Sequence, residues 1–165
     1  MNVGKLLETV NSLVPLNYAF DDDFVGLTVG SEDSKVNGVA VAHELENSIL
    51  DYSTNNNINT LITYHPPSLK KILKDDGTET FEDDLLTAKC RELGLNIITI
   101  HTAQDVCNGG NADSLVDLFS ITDIKVFAHT VGKFGAGRYG NITKTSNSKL
   151  KAIVESKLNT KIVRT

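Results

Sequence analysis

Three histidines and two carboxylates stand at positions where an α/β protein builds chemistry most readily. His43-Glu44 follows the β-branched run 36–42, "VNGVAVA". His65 follows the apolar run 60–64, and Pro66 and Pro67 come directly after it. His101 closes the run "NIITIHT" (96–102), with Asp105 four residues further on. In open α/β sheets, binding groups collect just beyond the C-terminal ends of strands. Neutral imidazole nitrogens and anionic carboxylate oxygens converging from rigid elements are what a transition-metal ion requires. The prolines stiffen the backbone around His65 and hold it extended. Each residue also has a plainer role. His43 suits a hydrogen-bonded loop, Asp105 can cap the turn into "CNGGN", and Glu44 can favour a helix N-terminus.

The elements that must position these groups are legible from periodicity. Val3, Leu6, Leu7, Val10, Leu13 and Val14 recur at helical spacing over 3–13, and Pro15 marks the end. A short strand lies between Gly26 and Gly30. The run 36–42 reads as a strand covered on both faces, followed by a helix at 45–55 and a strand at 60–64. A loop with Asp75-Asp76-Gly77 leads to a helix at 80–93, which Gly94 stops. The strand 96–102 precedes a Gly/Asn loop and a helix at 112–119. Strands at 122–129 and 138–143, a helix at 147–158 and a last strand, "KIVRT", complete the chain. Strands alternating with helices predict an α/β fold: a mixed, largely parallel sheet flanked by helices, in one domain spanning 1–165.

Composition narrows the function classes. A chain of 165 residues with 40% hydrophobic and 22% charged residues has enough apolar surface for a real core. The net charge of −5 argues against nucleic acid as a partner, because phosphate binding needs a basic face. Two cysteines without CxxC spacing point to the reducing cytoplasm. No apolar run approaches membrane-spanning length, and no signal pattern opens the chain. "DVCNGGNADSL" precedes a helix but matches neither GxxxxGK[ST] nor GxGxxG, and a tight turn with positive φ at Gly109 and Gly110 accounts for it. No GxSxG elbow is present.

The order of these segments resembles the GTP cyclohydrolase I type 2 homologues, also called Ngg-one-interacting-factor-three-like proteins. Residues 23–30, "DFVGLTVG", stand where that family has WDN-x-GL-x-VG. His43-Glu44 stands for a Leu-Asp pair at a strand end, and Tyr64-His65-Pro66 for His-His-Pro. His101-Thr102-Ala103-Gln104-Asp105 stands for H-T-N-x-D, Gly109-Gly110-Asn111 for the following G-x-N turn, and "GAGRYGNI" for a G-x-GR-x-G strand. The resemblance spans all 165 residues and matches the N-terminal two-thirds of a typical family chain. It implies a toroidal homo-hexamer with a dinuclear centre of a divalent transition metal such as zinc, iron or manganese. Carried onto this chain, it makes His65 and Asp105 metal ligands, with Tyr64, His101 and Glu44 around them. Tyr64 replaces the first histidine of the motif, and the family's C-terminal His-x-x-x-Glu has no counterpart. Two functions follow as expectations: a metal-dependent hydrolase acting on a nucleotide or related small molecule, or a non-catalytic assembly or interaction module with a reduced metal site.

Overall fold

A computed structural model of the chain describes residues 1–162. Its elements run α1 (Val3–Leu13), β1 (Gly26–Val29), β2 (Val39–Ala42), α2 (Asn47–Asn55), β3 (Thr60–Thr63), β4 (Leu69–Leu73), β5 (Glu79–Asp83), α3 (Leu85–Glu92) and β6 (Asn96–Thr99). They continue with α4 (His101–Val106), α5 (Asn111–Phe119), β7 (Thr122–His129), β8 (Gly135–Asn141) and α6 (Asn147–Leu158).

The central sheet has the order β1-β6-β3-β2. β2–β3 and β3–β6 pair in parallel, while β1 joins β6 antiparallel. The sheet is therefore mixed and largely parallel, as the alternation of elements predicts. Strand periodicity sorts the core into two layers. Leu61 and Ile97 point to one face, where Leu50 of α2 and Cys90 of α3 pack on them. Ile98, one residue on, points to the other face and meets Val3, Leu6 and Val10 of α1. Asn2 caps α1 by accepting the Lys5 N–H at 3.0 Å. Buried Asn96 clips three segments together: its Oδ1 accepts the Ser31 N–H at 3.1 Å, and its Nδ2 donates to the Asn59 carbonyl at 3.0 Å.

Several boundaries differ from the sequence reading. Residues 69–83 form the β4–β5 hairpin, turning at Gly77, where the sequence predicts a loop and an early helix start. The first turn expected of that helix is strand β5, and α3 begins only after Asp84, whose side chain accepts the Thr87 N–H at 2.7 Å. β2 is not covered on both faces: it is an edge strand, and Val41 is 76% exposed. A β-branched run reads alike at the centre and the edge of a sheet, since only the neighbouring strand distinguishes them. Leu13 turns away from the apolar face of α1 and is exposed. The final strand expected at 161–165 is absent from Lys161 and Ile162, and residues 163–165 lie outside the described residues.

The β7–β8 hairpin is held to α4 and α5 by Arg138. Its Nε donates to Asp113 at 2.8 Å and its other guanidinium nitrogens to the Gly135 and Val106 carbonyls. Across the chain, Tyr18 stacks on Phe134 with ring centroids 4.4 Å apart.

Candidate functional site

The loops leaving β2, β3 and β6 remain tied together past the strand ends. Tyr64 N–H donates to the Ala42 carbonyl at 3.1 Å and His65 N–H to the His43 carbonyl at 2.8 Å. His101 N–H donates to the Tyr64 carbonyl at 3.0 Å. This continued ladder gathers four rings. His43 lies parallel to Tyr64, with centroids 5.1 Å apart, and packs tilted against His65 at 4.4 Å. His101 meets Tyr64 edge-on at 5.4 Å and His65 at 5.7 Å. His101 is the first residue of α4 rather than the end of a strand, because β6 stops at Thr99.

Glu44, His65, Ser68, Asp84 and His101 line a cavity of about 390 Å³ at this end of the sheet. The His65 Nδ1 lies 3.4 Å from Glu44 Oε2, with both side chains substantially exposed. Beneath the cavity, the hydroxyl of Thr99 bridges Thr28 at 3.0 Å and Thr63 at 3.3 Å, a polar row across β1, β6 and β3.

Asp105 is held by Tyr64 and Asn111. The Tyr64 hydroxyl lies 3.0 Å from both of its carboxylate oxygens, and Asn111 Nδ2 donates to Oδ1 at 2.8 Å. Burial and then the Asp105 carboxylate raise the Tyr64 phenol above its ordinary value of 10.0, so it is a neutral donor over the physiological range. Asp105 therefore does not cap the "CNGGN" turn; Asp113 accepts the Gly109 N–H there at 2.9 Å. Gly109 has positive φ, +71°, as the turn requires, but Gly110 does not. A side chain at Gly110 would run into the Gln104 carbonyl, so close approach of backbone explains it.

Sequence reasoning missed the partner of His101. Asp23 Oδ1 lies 2.6 Å from His101 Nδ1, and its Oδ2 accepts the Thr102 N–H at 3.1 Å and the Thr102 hydroxyl. Burial pushes the Asp23 carboxyl up, but these donors together outweigh it and hold the group below the usual carboxylate value. Asp23 and His101 are 78 positions apart, too far for any local spacing rule to join them. The common signal was the motif order, since Asp23, His101, Thr102 and Asn111 all fall in segments carrying the resemblance.

These donors do not fit a dinuclear metal centre. Asp105 is engaged by Tyr64 and Asn111, and His65 faces Glu44. Among the described residues, no three His, Cys, Asp or Glu side chains come together closely enough to hold a metal ion.

A mixed sheet with helices on both faces and a histidine-lined pocket beyond its parallel strand ends makes this an α/β protein, and its family is the one described as Duf34/NIF3 (NGG1p interacting factor 3). That family's model matches residues 1–165, and the chain belongs to it. The GTP cyclohydrolase 1 type 2 homolog of Bacillus subtilis is 26% identical over 79% of this chain and 34% of its own length. The Lactococcus lactis protein of the same description is 27% identical over 91% of this chain and 56% of its own. Among solved structures, a Staphylococcus aureus hypothetical protein superposes with a TM-score of 0.73 at 22% identity, over 96% of this chain and 65% of that one. Reduced HcgD from Methanocaldococcus jannaschii gives a TM-score of 0.70 at 23% identity, over 94% and 60%. The chain thus spans about a third of the Bacillus subtilis relative it matches.

Proposed function

We propose that this chain is a non-catalytic member of its family, a binding and assembly module whose pocket works without a dinuclear metal centre. One observation carries the reading: the Tyr64 hydroxyl is within 3.0 Å of both oxygens of Asp105, the carboxylate that the family resemblance assigns to metal. A neutral phenol is a hydrogen-bond donor and a poor metal ligand near neutral pH. With Asn111 on the same carboxylate, the charge is satisfied by protein donors. His65, Glu44 and His101 are left facing a cavity suited to a polar small molecule or a partner's side chain.

A second reading has an observation of its own. The same cavity is lined by two imidazoles and two carboxylates, the groups of a metal-dependent hydrolase, and relatives carry the description GTP cyclohydrolase 1 type 2 homolog. It requires further metal donors from a second copy of the chain, within the homo-oligomer that the family resemblance implies. Elemental analysis of tag-free protein, beside a His65→Ala control, separates the two. Less than about a tenth of an equivalent of zinc, iron or manganese in both samples supports the module. One equivalent or more, lost in the control, overturns it in favour of the hydrolase.

A further inference from the structure

A second cavity, of about 480 Å³, shares no residue with the first. It lies between the C-terminal end of α5, the segment following β8, and one face of α6. Lys149, Leu150, Ile153, Val154 and Lys157 recur at helical spacing along that face. Opposite them stand Phe119, Ile121 and Ile142. No residue of α6 is fully buried, so this apolar row has only part of the cover such residues normally find.

The charge pattern is one-sided. Lys144, Lys149 and Lys157 line the cavity and, among the described residues, no carboxylate does, although the whole chain carries a net charge of −5. Among the described residues, neither Lys144 nor Lys149 forms an ion pair. Lys157 is committed: its ammonium donates to the Leu118 carbonyl and ties α6 to the end of α5. Cationic charge left for a ligand is therefore concentrated at the end where α6 begins. The wall there also holds the Thr145 hydroxyl, which is buried without a hydrogen-bond partner. Lys149 and Lys157 are separated by about 12 Å along the helix at 1.5 Å per residue. An apolar trough of that length, with its two uncommitted lysines at the end where α6 begins and Lys157 at the other end held by the Leu118 carbonyl, has the polarity of an acyl chain with an anionic head.

We propose that this cavity binds a small single-chain amphiphile with an anionic head, such as a medium-chain fatty acid. The head sits between Lys144 and Lys149, and the chain lies along Leu150, Ile153 and Val154 towards Lys157. Its volume falls in the range typical of small-molecule sites.

The test titrates the full chain with decanoate, decanol and inorganic phosphate, followed by amide chemical shifts. The expected result is saturable decanoate binding that moves resonances of Ile121, Ile142 and Ile153. Decanol and phosphate bind about tenfold or more weakly, since each lacks one half of the recognition. The double variant K144E/K149E loses about tenfold in decanoate affinity. Ile153→Asp, which puts a charge in the trough, loses as much while leaving the lysines in place. Circular dichroism establishes that both variants fold. Decanol binding as tightly as decanoate overturns the proposal, as does an absence of saturable shifts. So does concentration-dependent self-association that closes this face against decanoate, because a second copy would then be the occupant.

Discussion

The Tyr64 hydroxyl stands equidistant, at 3.0 Å, from the two carboxylate oxygens of Asp105. This contact joins the end of β3 to α4 across 41 positions of sequence. Tyr64→Phe removes the donor and leaves the carboxylate to Asn111 and solvent. A loss of about 1 kcal/mol in unfolding free energy is expected, measured by urea titration. Tyr64→His does something different: it releases Asp105 and places a second imidazole beside His65. Zinc affinity of that variant, read by calorimetry, is expected to exceed that of the parent by about tenfold or more. Equal affinities would mean that the tyrosine is not what withholds Asp105 from metal.

Asp23 predicts a pH dependence. Its folded carboxyl titrates below its unfolded value, about 3.9 for a free aspartate. The stabilisation is then complete above that unfolded value and is lost as pH falls through the folded one. Asp23→Asn should cost about 1–2 kcal/mol near neutral pH. It should also flatten the loss of stability below about pH 4, measured by chemical denaturation at a series of pH values. An acid limb as steep as the parent's would place the sensitivity in another carboxylate.

Arg138 holds the β7–β8 hairpin to the site-bearing half, and its side chain is only 7% exposed against Asp113. Arg138→Ala leaves Asp113 with the Gly109 N–H as a donor but without its ion pair, and takes the guanidinium from the Val106 carbonyl. The expected cost is about 3 kcal/mol. Arg138→Lys should recover only part of it, because an ammonium cannot span Asp113, Gly135 and Val106 as the guanidinium fork does. Thermal unfolding of the two variants side by side distinguishes fork geometry from charge alone.

Cys90 is fully buried, and burial, reinforced by Asp84, pushes its thiol up to about 11. Only the thiolate reacts with disulfide reagents, so labelling near pH 8 should follow opening of the protein rather than intrinsic thiol chemistry. Labelling of a Cys107→Ser variant that accelerates in step with added urea would bear this out. Prompt labelling in native buffer would place Cys90 at an accessible surface instead.

The elements read at 3–13, 45–55, 60–64, 112–119 and 147–158 carried enough periodicity and punctuation to be found from sequence alone, to within two residues of their ends. The residues around the pocket were readable for the same reason, since His43, His65 and His101 follow strands whose apolar runs are unmistakable. What the pocket does with them was not readable. The Tyr64–Asp105 and Asp23–His101 pairs are contacts across 41 and 78 positions, created by strand order. The β4–β5 hairpin escaped because "LKKIL" and "ETFED" are charge-rich and mostly exposed, so neither strand has a buried face to impose alternation.

That hairpin has a practical consequence. β4 and β5 pair with each other and form a sheet of their own, and β5 adjoins α3 without joining the central sheet. Its backbone hydrogen bonds close on themselves, so it can open without disturbing the layers beneath the pocket. Its amides should exchange with deuterium well before those of β3 and β6. The turn at Asp75-Asp76-Gly77, which meets no neighbouring atoms at Gly77, is then the natural place to insert a fluorophore or an epitope while the rest of the molecule stays intact.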